Sequence, residues 1–414
     1  MIGGTPPCSP ARGGPVPPTP GDSRAAANAA SVLRTVLAHG PIARSGISRV
    51  CGLSPAAVSR QTTALLRGGL LRELAEPADA VGPAGVGRPR IPLDLHTGAV
   101  GGPVAAGLHI GVPASTFSLV DLRGRVLARR AMPHGDRAPS ALLAAIRDEL
   151  TRFLREFGSP HRPLLGLGAA LGGWVRPGDG TVVRHEALGW RDIPLAAELG
   201  RALEAHGHPG LTVRVDNHAR AVADTEIVFG RPEARRSLLH LFIGNVVDAA
   251  FGIEGTVHRG PGAAAGDVAH LPVPGSRVPC ACGRTGCLQA TVSDTVLGAE
   301  AVRRGIVPEP SVFLLADAAA TGDPRADRLL RERAGAVGRA AALLLDVFNP
   351  AVMVIAELSS VLDESYLDEI RGAAGDPERY GRRIVGPHAG PAVLPVAAAT
   401  VLLGPLFRDP SRLT

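Results

Sequence analysis

The stretch HLPVPGSRVPCACGRTGC, residues 270–287, decides the reading, because it gathers His270, Cys280, Cys282 and Cys287 within eighteen positions. Three thiolates and an imidazole close a tetrahedral zinc site. Gly283 and Gly286 let the backbone wrap tightly around an ion. Of the five cysteines, Cys8 and Cys51 lie far from this run, which leaves no obvious disulfide framework. A Cys-x-Cys pair is also badly placed to bridge itself. Four protein ligands leave no open coordination position, so the expected cofactor is a structural Zn2+ rather than a catalytic one.

Around this run the chain is globular in composition. Hydrophobic residues make up 45% of its 414 positions, which excludes a mainly disordered or coiled-coil protein. No apolar run reaches the roughly 18 residues of a spanning helix, and residues 396–407 are short and interrupted by Gly404 and Pro405. The first 23 residues are rich in Pro and Gly and read as a disordered tail without the apolar stretch of a signal peptide. A cytoplasmic location and no membrane partner are expected.

The net charge of +6 is carried without any lysine. A GC-rich codon habit accounts for the arginines, so the charge alone says little about nucleic acid. Its position says more. From Arg24 to Pro92 there are nine arginines against Glu73, Glu76 and Asp79, and the remainder balances to zero. Such concentration in one short segment is the footprint of nucleic-acid recognition.

The periodicity of that segment agrees. A helix is expected from about Ala25 to His39, stopped by Gly40-Pro41. A second spans Arg44–Cys51, and Gly52-Leu53-Ser54 forms a tight turn. Ser54 can cap a third helix, Pro55–Arg67, with Pro55 at its first position. Strand-like pieces at Leu70–Leu74 and Ile91–Leu95 follow, joined by a Gly/Pro-rich loop. Three helices and a hairpin make a winged helix-turn-helix, expected over residues 24–95. The third helix would enter the major groove of a double-stranded DNA operator, with Ser59, Arg60, Gln61 and Thr63 as polar readers. Arg44 and Arg49 suit phosphates, and Arg88 and Arg90 of the Gly-Arg-Pro-Arg wing suit a narrow minor groove. A solvated basic face is the blander account of these arginines. From Gly101 onward, strands alternate with helices in an α/β pattern.

A winged helix, a Gly-Arg-Pro strip, the Gly266-Asp267-Val268-Ala269-His270 segment and the Cys-x-Cys-Gly-x-x-Gly-Cys run together resemble the ROK family of repressors, open reading frames and sugar kinases. The resemblance covers nearly everything from Ala25 onward. It implies an α/β chain, a winged helix-turn-helix followed by a two-lobed actin-like (ribonuclease-H-type) sugar kinase fold, with an effector and oligomerisation body over residues 103–414. It also implies a ligand cleft between the lobes and a homodimer or homotetramer.

The kinase features that the resemblance implies are degenerate. Where family kinases carry Asp-x-Gly-Gly-Thr, this chain has His109-Ile110-Gly111-Val112-Pro113. The second phosphate segment reads Gly244-Asn245-Val246-Val247-Asp248, and Asp248 is expected to repel a polyphosphate. Ala356-Glu357 replaces a Gly-Gly near the adenosine region. The catalytic Asp is replaced by His218, after Asn217. On the sugar side, Asp267 stands for the family's Glu and Gln289 for a second Glu. Asn217, His218, Asp267 and Gln289 are the expected ligand residues. The reading is a DNA-binding transcriptional regulator, a repressor controlled by a sugar or other small ligand, with no catalytic residues. The alternative is an ATP-dependent sugar kinase with a fused DNA-binding domain.

Overall fold

The computed structural model describes residues 20–74, 91–98 and 100–413. Of the expected tail over residues 1–23, residues 1–19 lie outside the described residues, as does the wing loop with Arg88 and Arg90, whereas residues 20–23 belong to the first helix and not to a tail. The first helix, α1 (Pro20–His39), begins earlier than its apolar period suggests, with Pro20 in the first turn, where a missing N–H costs nothing. α2 (Arg44–Cys51) ends at Gly52, whose φ of 68° suits glycine. α3 (Pro55–Arg67) starts with the Ser54 hydroxyl accepting from Ala57 N at 3.3 Å, a cap worth about 1 kcal/mol. A small sheet closes this unit in the order β1-β3-β2, from β1 (Ile42–Ala43), β2 (Leu71–Glu73) and β3 (Pro92–Leu95).

The body is built twice to one plan. In the first lobe, β4 (Val104–Ile110), β5 (Ala114–Asp121) and β6 (Val126–Pro133) form an antiparallel meander, and α4 (Pro139–Phe157) follows. β7 (Leu164–Leu171) then adds parallel to β4. A separate small sheet, β8 (Trp174–Arg176), β9 (Thr181–His185) and β10 (Trp190–Ile193), precedes α5 (Leu195–Ala205). β11 (Val213–Asn217) completes the main sheet in the order β11-β7-β4-β5-β6. After α6 (His218–Phe229) and α7 (Pro232–Arg236), the second lobe repeats the pattern. Its sheet uses β12 (Ser237–Ile243), β13 (Val247–Ile253), β14 (Thr256–Val257), β15 (Val352–Glu357) and β16 (Ile384–Val385), in the order β14-β13-β12-β15-β16. The interior strands β4 and β15 are buried throughout, as strands covered on both faces must be.

Helices α8 (Leu288–Val292), α9 (Asp294–Arg303), α10 (Val312–Ala320), α11 (Pro324–Phe348), α12 (Leu358–Leu362) and α13 (Glu364–Ala374) cover the second lobe. The last helix, α14 (Val393–Arg408), packs on β4, β7 and β5 and against α6. With the turn before it, Gly390–Arg408 is long and apolar enough to cross a membrane by length and composition. The sequence reading saw only an interrupted run there. This helix is a core helix: most of it is buried, and Gly107 and Gly168 let it approach the sheet closely. A Cβ on Gly107 would lie 2.9 Å from Ala399 N, and one on Gly168 2.1 Å from Ala398 O.

The helix-turn-helix unit is not a bead on a string. Val32, Leu33, Val36, Ile47, Leu93 and Leu95 share one continuous core with Val120, Leu122, Leu403 and Phe407 of the body. Arg123 of the body ion-pairs with Asp94 and donates to Leu37 O at 3.1 Å.

Candidate functional site

On α3 the alternation of buried and exposed positions fixes one outward face. Ala57, Val58, Thr62 and Leu65 are buried, whereas Pro55, Ala56, Ser59, Arg60 and Thr63 are exposed. Gln61 is half-buried and Arg49 is exposed. Arg44 differs from expectation. Its guanidinium donates to Glu73 at 2.8 Å and to the Thr62 hydroxyl at 3.3 Å, so it ties α2 to α3 and β2. It therefore acts first as a brace for α3.

The run at 270–287 folds as the residue types demand. Cys280 N bonds Arg284 O at 2.8 Å, and Gly286 N bonds Val278 O at 2.7 Å. Gly286 has φ 73°, and a Cβ there would sit 2.6 Å from Ser276 O. The loop brings the ligand atoms of His270, Cys280, Cys282 and Cys287 within 4.8 Å of one another. Cys280 Sγ lies 3.7 Å from His270 Nδ1, and the Cys282 and Cys287 sulfurs lie 3.6 Å apart. Such spacings match edges of a small tetrahedron, so these four residues can hold a metal ion. Arg284, donating to Cys282 at 3.5 Å, draws that thiol down to about 6, while burial pushes the Cys287 thiol up to about 11. A bound divalent cation would hold both as thiolates.

The four expected ligand residues gather around the start of β13. Asn217 caps α6, accepting from Ala219 N at 2.8 Å, and donates to Gly173 O at 3.0 Å and Asp248 at 3.1 Å. His218 places Nε2 3.2 Å from Asp248, close enough to pair but off the line of a hydrogen bond. Burial opposes the charge on Asp248, yet His218 and Asn217 outweigh it and hold the carboxyl below its usual range. Gln289 spends both ends of its amide on backbone, accepting from Val247 N and donating to Asn245 O, each at 2.8 Å. It shapes the 245–247 turn. Asp267 is exposed, and the preceding Gly266 runs against β13, accepting from Ala249 N at 2.8 Å.

Asp248 faces His218 and Asn217, which favour its charged form. Glu357 turns into a buried network, where Arg333 bonds Asp294 at 2.8 Å and lies 3.3 Å from Glu357. Glu357 also accepts from Ser359 N, Ser360 N and the Ser359 hydroxyl. Sequence reasoning missed Arg333, Asp294, His185 and His240, since no local pattern joins residues so far apart in the chain.

The ROK family matches residues 105–374. A transcriptional regulator of Mycobacterium tuberculosis is 35% identical over 342 residues, covering 79% of this chain and 73% of that protein. The xylose repressor of Caldicellulosiruptor bescii is 26% identical, covering 82% and 85%. Among solved structures, a ROK family transcriptional regulator homologous to the E. coli MLC protein superposes with a TM-score of 0.71 at 23% identity, covering 93% of this chain and 98% of that one. A ROK glucokinase from Streptomyces griseus, with glucose and AMPPNP, gives 0.62 at 24% identity, covering 72% and 98%. The fold is thus the two-lobed one of the sugar kinases preceded by a helix-turn-helix, and the chain belongs to the ROK family.

Proposed function

We propose that this chain is a DNA-binding transcriptional regulator, a repressor controlled by a sugar-type small molecule, and that it has no kinase activity. The observation that carries the reading is the exposed polar face of α3 on a helix-turn-helix fixed by a shared core to the two-lobed body. A dimer would set two such helices about one helical turn apart on a palindrome-like operator. Ser59, Arg60, Gln61 and Thr63 would read base edges, with Arg49, Arg88 and Arg90 on the backbone and minor groove. His270, Cys280, Cys282 and Cys287 would hold a structural zinc ion, which keeps the loop next to Gln289 rigid.

Kinase chemistry requires ATP and its metal to be held in line with the sugar. The Asp294–Arg333–Glu357 network and Pro113 argue against such a nucleotide seat. α6 and α14 supply the coupling: both pack between the lobes, joined by Asp224 and Arg408 at 3.0 and 3.1 Å, and α14 also packs against α1. A ligand that favours one lobe arrangement would shift the spacing of the two reading helices, provided it binds the two arrangements unequally.

Genome-wide mapping of bound DNA supplies the operator. On it, Arg60→Ala should weaken binding by about 1–3 kcal/mol, and affinity should fall steeply with salt. Unchanged footprints for the variant would overturn the recognition assignment. Sugar-dependent ATP turnover that His218→Ala abolishes would overturn the non-kinase reading.

A further inference from the structure

Away from all the residues discussed so far, the first lobe holds a cavity of about 510 Å³ beside the end of α4, where the loops 158–164 and 207–211 meet. β4, β7 and β11 run parallel, and the cavity lies where they begin: Val104 and Leu164 open β4 and β7, and Leu211 precedes β11. Asn217 and His218 stand at the other end of the same sheet, roughly 20 Å along the strands. A space of this size accommodates a small metabolite.

Its chemistry is two-sided. The inner wall is aliphatic, made by Val104, Leu119, Leu154, Leu164 and Leu211. The mouth is basic, with Arg155 in the last turn of α4, Arg162 and His208. No acidic side chain is among the lining residues. Glu156, next to Arg155 in the chain, is engaged by Arg130 at 2.6 Å, and among the described residues no carboxylate pairs with Arg155. A sugar matches this lining poorly, because hydroxyls buried against aliphatic side chains are left unpaired. A cation would meet the arginines. An apolar chain ending in a carboxylate satisfies both parts: its tail leaves water against the wall, and its head accepts charge-assisted hydrogen bonds from guanidinium.

The cavity also shares a wall with the seat of the helix-turn-helix. On three neighbouring strands the pairs Val104–Ala105, Leu119–Val120 and Leu164–Leu165 each send the first residue to the cavity and the second to the core shared with α1 and β3. The segment that leads from β3 into the body is tied to the same rim. Gly101 N donates to His161 O at 2.6 Å, and Val104 N to Pro163 O at 2.9 Å.

We propose that this cavity is a second ligand site, which takes an anionic amphiphile of fatty-acid type and lies one sheet's thickness from the core that seats the helix-turn-helix.

Calorimetric titration of the full chain with octanoate, octanol, octylammonium and acetate tests it. Octanoate should bind, with octanol about tenfold weaker or more, since hydrogen bonds to a charged group are lost. Octylammonium should be weaker again, because its charge is of the wrong sign, and acetate, which lacks the tail, should be silent. Arg155→Ala, a change at an exposed position, should weaken octanoate about tenfold and leave octanol unchanged. Leu211→Trp, which fills the cavity, should abolish octanoate binding; if that variant fails to fold, Arg155→Ala and hydrogen exchange carry the test. Octanoate should slow amide exchange at residues 101–104 and 158–164. Equal affinity for octanoate and octanol, an Arg155→Ala variant that binds octanoate as the wild type does, protection at residues 216–218 in place of the cavity rim, or silence from octanoate would each overturn the inference.

Discussion

Replacing Arg333 by leucine probes the network that occupies the second lobe. Arg333 and Glu357 side chains are each 1% exposed, and Asp294 is 15% exposed. Removing the guanidinium leaves two carboxylates facing each other without a cation, and breaking a buried pair from one side costs about 3–5 kcal/mol. The contacts are unequal. Arg333 makes an aligned hydrogen bond to Asp294 at 2.8 Å, whereas its approach to Glu357 at 3.3 Å is not directed as a hydrogen bond. Glu357 also keeps its bonds from Ser359 and Ser360, so the expected loss lies near the lower end, about 3 kcal/mol. The penalty depends on pH. Burial already raises the Asp294 carboxyl above its usual range against the pull of Arg333, and without Arg333 it rises further. A carboxyl with a raised folded-state pKa destabilises above its unfolded value, and the penalty fades as pH falls toward that value. Urea unfolding with an unchanged m-value should therefore show a gap of about 3 kcal/mol at pH 8 that narrows toward pH 5. A gap below about 1 kcal/mol at pH 8, or one of equal size at both pH values, would refute the reasoning.

Metal analysis of the purified chain should find about one zinc per chain, and Cys287→Ser should lose the metal and melt at lower temperature; well-folded wild-type protein without metal would exclude the site. Glu226, buried on α6 and accepting from His388 N at 2.8 Å, has its carboxyl raised to about 7 by burial, against the opposing pull of that bond and of Arg231. Its stabilising contribution is complete below the ordinary carboxylate range and is lost as pH rises through about 7. Glu226→Gln should thus match the wild type near pH 5 and exceed it by about 2 kcal/mol at pH 8, read by denaturant unfolding, and equal stability at both pH values would discard the assignment.

The helix-turn-helix was legible because its punctuation is local. Gly40-Pro41, Gly52 and Ser54-Pro55 each settle a boundary by their own backbone chemistry, and α2 and α3 run over the expected residues. The small sheet β8–β10 escaped notice because its strands are three to five residues long and carry too little alternation to register. The doubling of the body is invisible for another reason: β4 to β6 and β12 to β14 share a hydrogen-bonding plan, not a sequence. At the cleft, Asn217, His218, Asp267 and Gln289 came from resemblance, and only coordinates reveal that Gln289 holds backbone. The cavity beside α4 draws on residues from 104 to 211, a separation no sequence window spans.

The core shared by α1, β3 and α14 bears on how such regulators can be recombined. Residues 20–98 cannot be exchanged between relatives as a cassette, because Leu33, Val36 and Leu95 are shaped to Leu403 and Phe407 at the far end of the chain. A chimera that grafts a new operator preference must bring along the matching face of the last helix. Changing only the exposed positions of α3 leaves that seat untouched, which makes that face the place where substitutions disturb the shared core least.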